Sequence, residues 1–356
     1  MVEVDGSIGE GGGQILRTVI SLSALLGKPV RVFNIRAKRP RPGLQRQHMT
    51  AVRAVAELSS ARVKGLALGS TVLEFYPGRL RSGSFSFNVG TAGSVTLVLQ
   101  AALPVLAFMD SGVEVEVRGG TDVPWSPPVD YFRHVLSRLL SRMGFVFTLT
   151  VKRRGHYPRG GGIVRVRVEK PPRMFRSVAL RERGRLRFIE GISHAVRLPK
   201  HVAERQARAA RDVLAASLNV PVDIALEWYE PGRDPHLGPG SGIVLWAVAE
   251  NSVLGSDSLG ARGKPAEEVG REAANKLVED IRTGMALDRH ASDMLIPYAA
   301  LACGESILGG ASLSLHAETS IKVVELMVPE AKLEFVEGGV RGKPFVLRVR
   351  GVCFKR

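Results

Sequence analysis

The sequence predicts an α/β (α+β) fold built from three like units, with a smaller α/β segment set into the last of them. Three observations carry this. The order strand, helix, strand, helix, hairpin recurs three times along the chain. A turn of small residues precedes the first helix in two of the units, G-E-G-G-G-Q before Ile15 and G-T-A-G-S before Val95. The third recurrence closes only when residues 183–284, which carry strands and helices of their own, are set aside. That leaves residues 1–182 and 285–356 as one large domain and 183–284 as an insertion, an arrangement that exposed loops tolerate.

The elements follow in order. In the first unit, residues 3–8 form a strand, 15–26 an apolar helix, 30–35 a strand, 47–58 a helix and 62–76 a hairpin. The second places strands at 84–89 and 113–117, helices at 95–108 and 129–143, and paired strands at 145–151 and 163–168. The third starts with a strand at 175–180 and resumes with a helix over 290–302. There A-S-L-S-L, residues 311–315, alternates as a half-buried strand does, and a helix capped by Thr319 or Ser320 follows. Strands at 331–336 and 344–349 close it. The insertion holds strands at 186–195, 222–228 and 243–249 and helices at 202–218 and 266–281.

Composition narrows the function. The chain of 356 residues has a formal charge of +16, and 38 of its 50 basic residues are arginine. Arginine forks match phosphate bidentately, so the balance points to a polyanionic partner, and it equally suits a heat-adapted host. Low aromatic content argues against a binder of single strands that works by stacking alone. Two cysteines, Cys303 and Cys353, cannot build a disulfide framework or a four-cysteine metal site, which predicts a reducing, cytoplasmic setting. No apolar run spans a membrane, since 95–109 is interrupted by Gln100 and Pro104, and residues 1–13 do not have the pattern of a signal peptide.

Three stretches carry chemistry. Glycines before the first helix let backbone N–H groups approach a phosphate, with Arg17 beside them and Glu10 placed either to hold Mg²⁺ or as a solvated turn residue. Arg36, Lys38, Arg39 and Arg41 lead into Pro42-Gly43-Leu44-Gln45 and His48, a phosphate-binding loop held extended by Pro40 and Pro42. His316 stands at a helix start, where the positive end of the helix attracts phosphate and keeps an imidazole neutral. A neutral imidazole beside phosphate is a candidate nucleophile. If the units pack side by side, the loops near His48, near Pro127 and near His316 meet in one cleft.

G-E-G-G-G-Q-I-L-R-T, N-I-R-A-K-R-P-R-P-G-L-Q-R-Q-H, G-T-A-G-S-V-T-L-V-L-Q and H-A-E-T-S-I-K-V-V-E together resemble the RNA 3′-terminal phosphate cyclases over nearly the whole chain. The resemblance implies three repeats, each a four-stranded sheet with two helices, plus the small inserted domain. It implies ATP and a divalent cation, Mg²⁺ or Mn²⁺, and an RNA with a 3′-terminal phosphate as partner. It implies a histidine–AMP intermediate on His316, transfer of AMP to the RNA phosphate, and closure by the 2′-OH. The family's other site positions fall on Glu10, Gln14, Arg17, Arg36, Arg39, Gln47, His48, Gln100 and Asp293, with Pro127 and Tyr131 lining the adenine pocket. Arg36, Arg39, Gln47 and His48 would meet the RNA phosphate, and Glu10, with Asp293, the metal. His48 would either hydrogen-bond the terminal phosphate or assist the 2′-OH. Three positions depart from the family pattern: Met294 where glutamine is usual, Ser320 for asparagine, and His290 for a tyrosine that stacks on adenine. A non-catalytic relative binding pre-ribosomal RNA, an enolpyruvyl transferase and a metal nuclease are the competing classes. A binder needs no nucleophile at His316, the charge and the basic loop suit nucleic acid better than a small anion, and no clustered metal-ligand spacing is present.

Overall fold

The computed structural model describes residues 1–356, which form four four-stranded sheets. Three share one connectivity. In the first, Val2–Asp5 pairs in parallel with Val30–Phe33. Leu73–Tyr76 adds to Val30–Phe33 antiparallel, and Arg62–Lys64 takes the far edge. Helices Gly13–Leu26 and Arg46–Leu58 make the two connections before the hairpin. Gly83–Asn88, Val113–Gly119, Thr148–Arg153 and Gly162–Val168 repeat this order, as do Ala179–Leu180, Glu305–Gly310, Lys332–Glu337 and Phe345–Arg350.

The fourth sheet lies in sequence between the first and second strands of the third, and its connectivity differs. Leu186–Val196 is central, with Val222–Trp228 parallel on one side and Gly240–Ala249, then Val253–Leu259, antiparallel on the other. Gly240–Ala249 shows why its sequence is apolar almost throughout. Ile243, Leu245 and Ala247 point into a cluster of 15 buried side chains beneath helices Lys200–Ser217 and Ala266–Arg282. Val244 and Trp246 point the other way, into the main core. Successive strand residues face opposite sides, so burial on both faces removes the alternation.

Two polar knots fix the fourth sheet against the rest. The guanidinium of Arg154 is 2% exposed and donates to Asp122, Asp130 and Glu227, at 2.6 Å to Asp130 Oδ2 and 2.7 Å to Glu227 Oε2. Asp288 accepts from the Tyr131 hydroxyl at 2.7 Å, from the Gly255 N–H at 2.8 Å and from the His290 and Ala291 N–H groups at 2.9 Å each. One carboxylate thereby joins the second unit, the fourth sheet and the start of the helix Ala291–Met294.

Several expected elements differ. A-S-L-S-L is not a strand, because Leu313 bonds the backbone of residues 342 and 343 and Ser314 is the helix cap, accepting the Ala317 N–H at 3.0 Å. The strand is Glu305–Gly310, whose paired glycines look like a turn in sequence. The helix expected over 290–302 is two short ones, Ala291–Met294 and Ile296–Leu301, parted ahead of Pro297. Val253–Leu259 was not anticipated, since V-L-G-S-D-S-L has the composition of a loop. Its Gly255 is required by contact, because a Cβ there would lie 2.6 Å from Val135 and 2.7 Å from Tyr131. Cys303 and Cys353, whose small number suggests a reducing setting, are joined in a disulfide. The C-terminal tail causes this by running back along residues 300–304, with Val352 N–H bonding Ala300 O and Cys353 N–H bonding Ala302 O. No helix is long and apolar enough to cross a membrane.

Arg154→Leu leaves two buried carboxylates without their cation and is expected to lower unfolding free energy by about 3–5 kcal/mol. Arg341→Leu, whose partner Glu318 lies at the surface, is expected to cost less than about 1 kcal/mol. Urea unfolding of both variants measures the difference, and equal losses would contradict the assigned role of the buried knot.

Candidate active site

The starts of the helices Gly13–Leu26, Arg46–Leu58 and Leu315–Met327 converge on a cleft of about 540 Å³. The turn before Val129 and the segment 290–294 form another wall, and Asp257 and Lys276 reach in from the fourth sheet and its helix. Charged and polar groups dominate the lining.

His316 is the second residue of its helix, and its side chain is 48% exposed. Its Nδ1 lies 2.8 Å from Glu10 Oε2 and 2.7 Å from Gln14 Oε1. Gln14 is oriented by its own amide, which donates to the His316 carbonyl at 3.1 Å and so turns its oxygen toward the ring. Two oxygen acceptors at Nδ1 place the imidazole proton there, which leaves the lone pair on Nε2. Burial lowers the pKa of the ring, Asp293 opposes this, and Arg17 and Arg39 add to the lowering. Glu10 is held in turn by an ion pair with Arg39, and its N–H bonds Thr319 Oγ1 at 3.3 Å.

His48 has the opposite tautomer. Its Nδ1 accepts the Gln45 N–H at 3.1 Å as part of a helix cap, so the neutral ring carries its proton on Nε2. Burial and then Arg17 and Arg36 hold its pKa down to about 3. A Cβ on Gly13 would lie 2.3 Å from that Nε2, so only glycine lets the first helix begin against this ring. Arg17 is buried beside it, oriented by Gln100 Oε1 at 3.1 Å, and burial lowers its pKa to about 10, which leaves it cationic. Arg36 donates to the carbonyls of Arg41 and Gly43 and thereby shapes the basic loop. Gln47 accepts the Ser94 N–H at 3.0 Å, which ties that loop to the small-residue turn of the second unit.

The family described as RNA 3′-terminal phosphate cyclase matches residues 8–332. A curated relative of that name from Hyperthermus butylicus is 70% identical over all of this chain and 99% of its own length. Others so named are 59% identical from Ignicoccus hospitalis, with both chains covered in full, and 53% identical from Methanopyrus kandleri, covering 98% of this chain and 99% of that protein. The chain belongs to the RNA 3′-terminal phosphate cyclase family.

Of the residues that the cyclase-family resemblance singled out, Glu10, Gln14, Arg17, Arg36, Arg39, Gln47, His48, Gln100, Pro127, His290, Asp293 and His316 all line the one cleft. Tyr131 does not. It is fully buried, its hydroxyl is taken by Asp288, and it meets His290 edge-on from behind with ring centroids 6.4 Å apart. Met294 lines the cleft as an apolar side chain. Sequence reasoning missed Trp125, Asp257 and Lys276, the last two because they come from the inserted elements. For a divalent cation, the cleft offers the carboxylates of Asp257, Asp293 and Glu10, the oxygens of the last already meeting Arg39 and His316. The convergent trio of metal-type side chains, Asp122, His156 and His194, lies elsewhere and is buried. An ion at Glu10 would therefore complete its shell with phosphate oxygens and water, as Mg²⁺ commonly does.

Burial raises the Asp293 pKa from 3.8 to about 6. A raised acid pKa means that the folded state holds the proton more tightly, so this group's contribution to stability falls as pH rises from about 4 through 6. Asp293→Asn removes the dependence. The variant is expected to gain about 3 kcal/mol on wild type between pH 4 and pH 8, measured by urea unfolding at each pH. A difference that does not change with pH would contradict the assignment.

Proposed function

We propose that this chain converts the 3′-terminal phosphate of an RNA into a 2′,3′-cyclic phosphodiester, with ATP as co-substrate, through AMP carried on His316. The observation that supports this most is the engaged Nδ1 of His316, which leaves Nε2 as the nucleophilic atom in a cleft furnished with arginines. The names of the curated relatives supply the substrate class.

The Nε2 lone pair attacks the α-phosphorus of ATP and the bond to the β-phosphate oxygen breaks, releasing pyrophosphate. The substituted ring is a cation, and the Glu10 carboxylate against Nδ1–H stabilises it. Arg17 and Arg39 offset charge on the phosphates, and a divalent cation at Glu10 would add Lewis acidity there. An oxygen of the RNA 3′-phosphate then attacks the same phosphorus and the Nε2–P bond breaks, which restores the neutral imidazole. The vicinal 2′-OH attacks the activated RNA phosphorus, the bond to the AMP oxygen breaks, and the hydroxyl proton passes to the phosphate of the departing AMP. His48 presents Nε2–H, so it acts as a hydrogen-bond donor to phosphate rather than as a base for the 2′-OH. Pro127 and His290 face the adenine, and Arg36 and Gln47 set the basic loop against the RNA phosphate.

Incubation with α-³²P-ATP and Mg²⁺ or Mn²⁺ is expected to give an acid-labile labelled protein, and His316→Ala is expected to give none. Equal labelling of the variant, or none of wild type, would contradict the proposal. Gln14→Ala, which removes one of the two acceptors at Nδ1, is expected to slow labelling about tenfold or more without abolishing it.

A further inference from the structure

We propose that Trp125 is a stacking platform for a nucleobase of the RNA strand where it leaves the cleft. This rests on the reading that the cleft takes RNA. Trp125 lines the cleft, yet it is 98% exposed, so nothing in the protein covers the indole. Its backbone has φ 62°, the left-handed region, where a bulky side chain is disfavoured and glycine or asparagine is the usual choice. A strained turn that presents a large aromatic ring to water is a feature to be explained by a ligand.

The turn is also stiff. Pro124, Pro127 and Pro128 fix three φ angles around the indole. Ser126 Oγ donates to the Val123 carbonyl at 3.1 Å, and Thr96 Oγ1 donates to the Pro127 carbonyl at 2.7 Å. The indole is therefore held out by a rigid arm, so little ordering entropy is lost when a base stacks on it. Of the cleft's lining, Trp125 alone offers a large π-face beside the arginines, and the pairing of cationic phosphate contacts with an aromatic surface is how unpaired RNA is gripped.

The exposure decides between the two possible sources of the base. The cleft of about 540 Å³ encloses a ligand of nucleotide size. Trp125 belongs to the cleft lining, and a ring 98% exposed there is open to a substrate that continues past the mouth. An RNA continues beyond its terminal nucleotide, whereas ATP is a single nucleotide.

The test is the equilibrium affinity of the full chain for a single-stranded oligoribonucleotide bearing a 3′-phosphate, and for the same oligonucleotide with abasic residues at its 3′ end. Trp125→Ala is expected to weaken binding of the intact oligonucleotide by about tenfold. Trp125→Phe is expected to recover most of the loss. Removing the bases is expected to weaken binding to wild type but to leave binding to Trp125→Ala nearly unchanged. Trp125→Gly is expected to weaken RNA binding equally while unfolding no more readily than wild type, since glycine relieves the φ strain. ATP-dependent labelling without RNA is expected to fall less than RNA affinity in all three variants. Loss of labelling with RNA affinity intact would assign the indole to adenine and overturn the proposal. Unchanged RNA affinity in Trp125→Ala would also overturn it, as would equal sensitivity of wild type and Trp125→Ala to base removal. Binding needs no turnover, so a failure of the labelling experiment with wild type leaves this test readable.

Discussion

The contact between His316 Nδ1 and its two oxygen acceptors is the constraint on which the site depends. Glu10 and Gln14 come from the glycine turn and first helix of the first unit, while His316 begins a helix of the third, more than 300 residues later. Each acceptor is itself restrained, Glu10 by Arg39 and Gln14 by the His316 carbonyl. The ring is thus fixed in one tautomer by groups that cannot easily turn away. The same device with the opposite sense acts on His48, whose Nδ1 is an acceptor for a backbone N–H. With their Nδ1 atoms engaged in opposite senses, the two imidazoles offer different atoms, a lone pair from His316 and a proton from His48.

The architecture makes these contacts possible by repetition. Each unit of the large body starts its helices at one end of its sheet, so side-by-side packing gathers the helix starts, and unpaired N–H groups and partial positive charge gather with them. The arginines add to that field. The fourth sheet closes the cleft from another side through Asp257 and Lys276, and it is kept in place by Arg154 and Asp288, neither of which lines the cleft. The two knots are buried and hydrogen-bonded, so the wall they support is fixed relative to His316.

Much of this was legible in the sequence, and the reason is chemical. Phosphate chemistry demands glycines, arginines and a helix start close together in the chain, and 9–17 and 36–48 show all of these locally, while 314–320 shows the helix start alone. What stayed hidden depends on contacts between distant segments. Tyr131 was expected in the adenine wall, but its hydroxyl is bound to Asp288, 157 residues away, and the ring turns inward. Asp257 lies on a strand whose composition is that of a loop until Gly255 is seen against Tyr131 and Val135. Cys303 and Cys353 are paired because the tail returns along residues 300–304, which no local pattern announces. The true cap of the His316 helix, Ser314, was masked by an alternation that mimics a strand.

In the mechanism we propose, the geometry at Nδ1 makes Nε2 of His316 the reacting atom. Protein carrying ¹⁵N-histidine, loaded with ATP and freed of excess nucleotide, can be examined by phosphorus–nitrogen correlation NMR. One adduct is expected, with phosphorus coupled to Nε2 of His316 and Nδ1 still protonated. Phosphorus coupled to Nδ1, or to any ring other than that of His316, would contradict it.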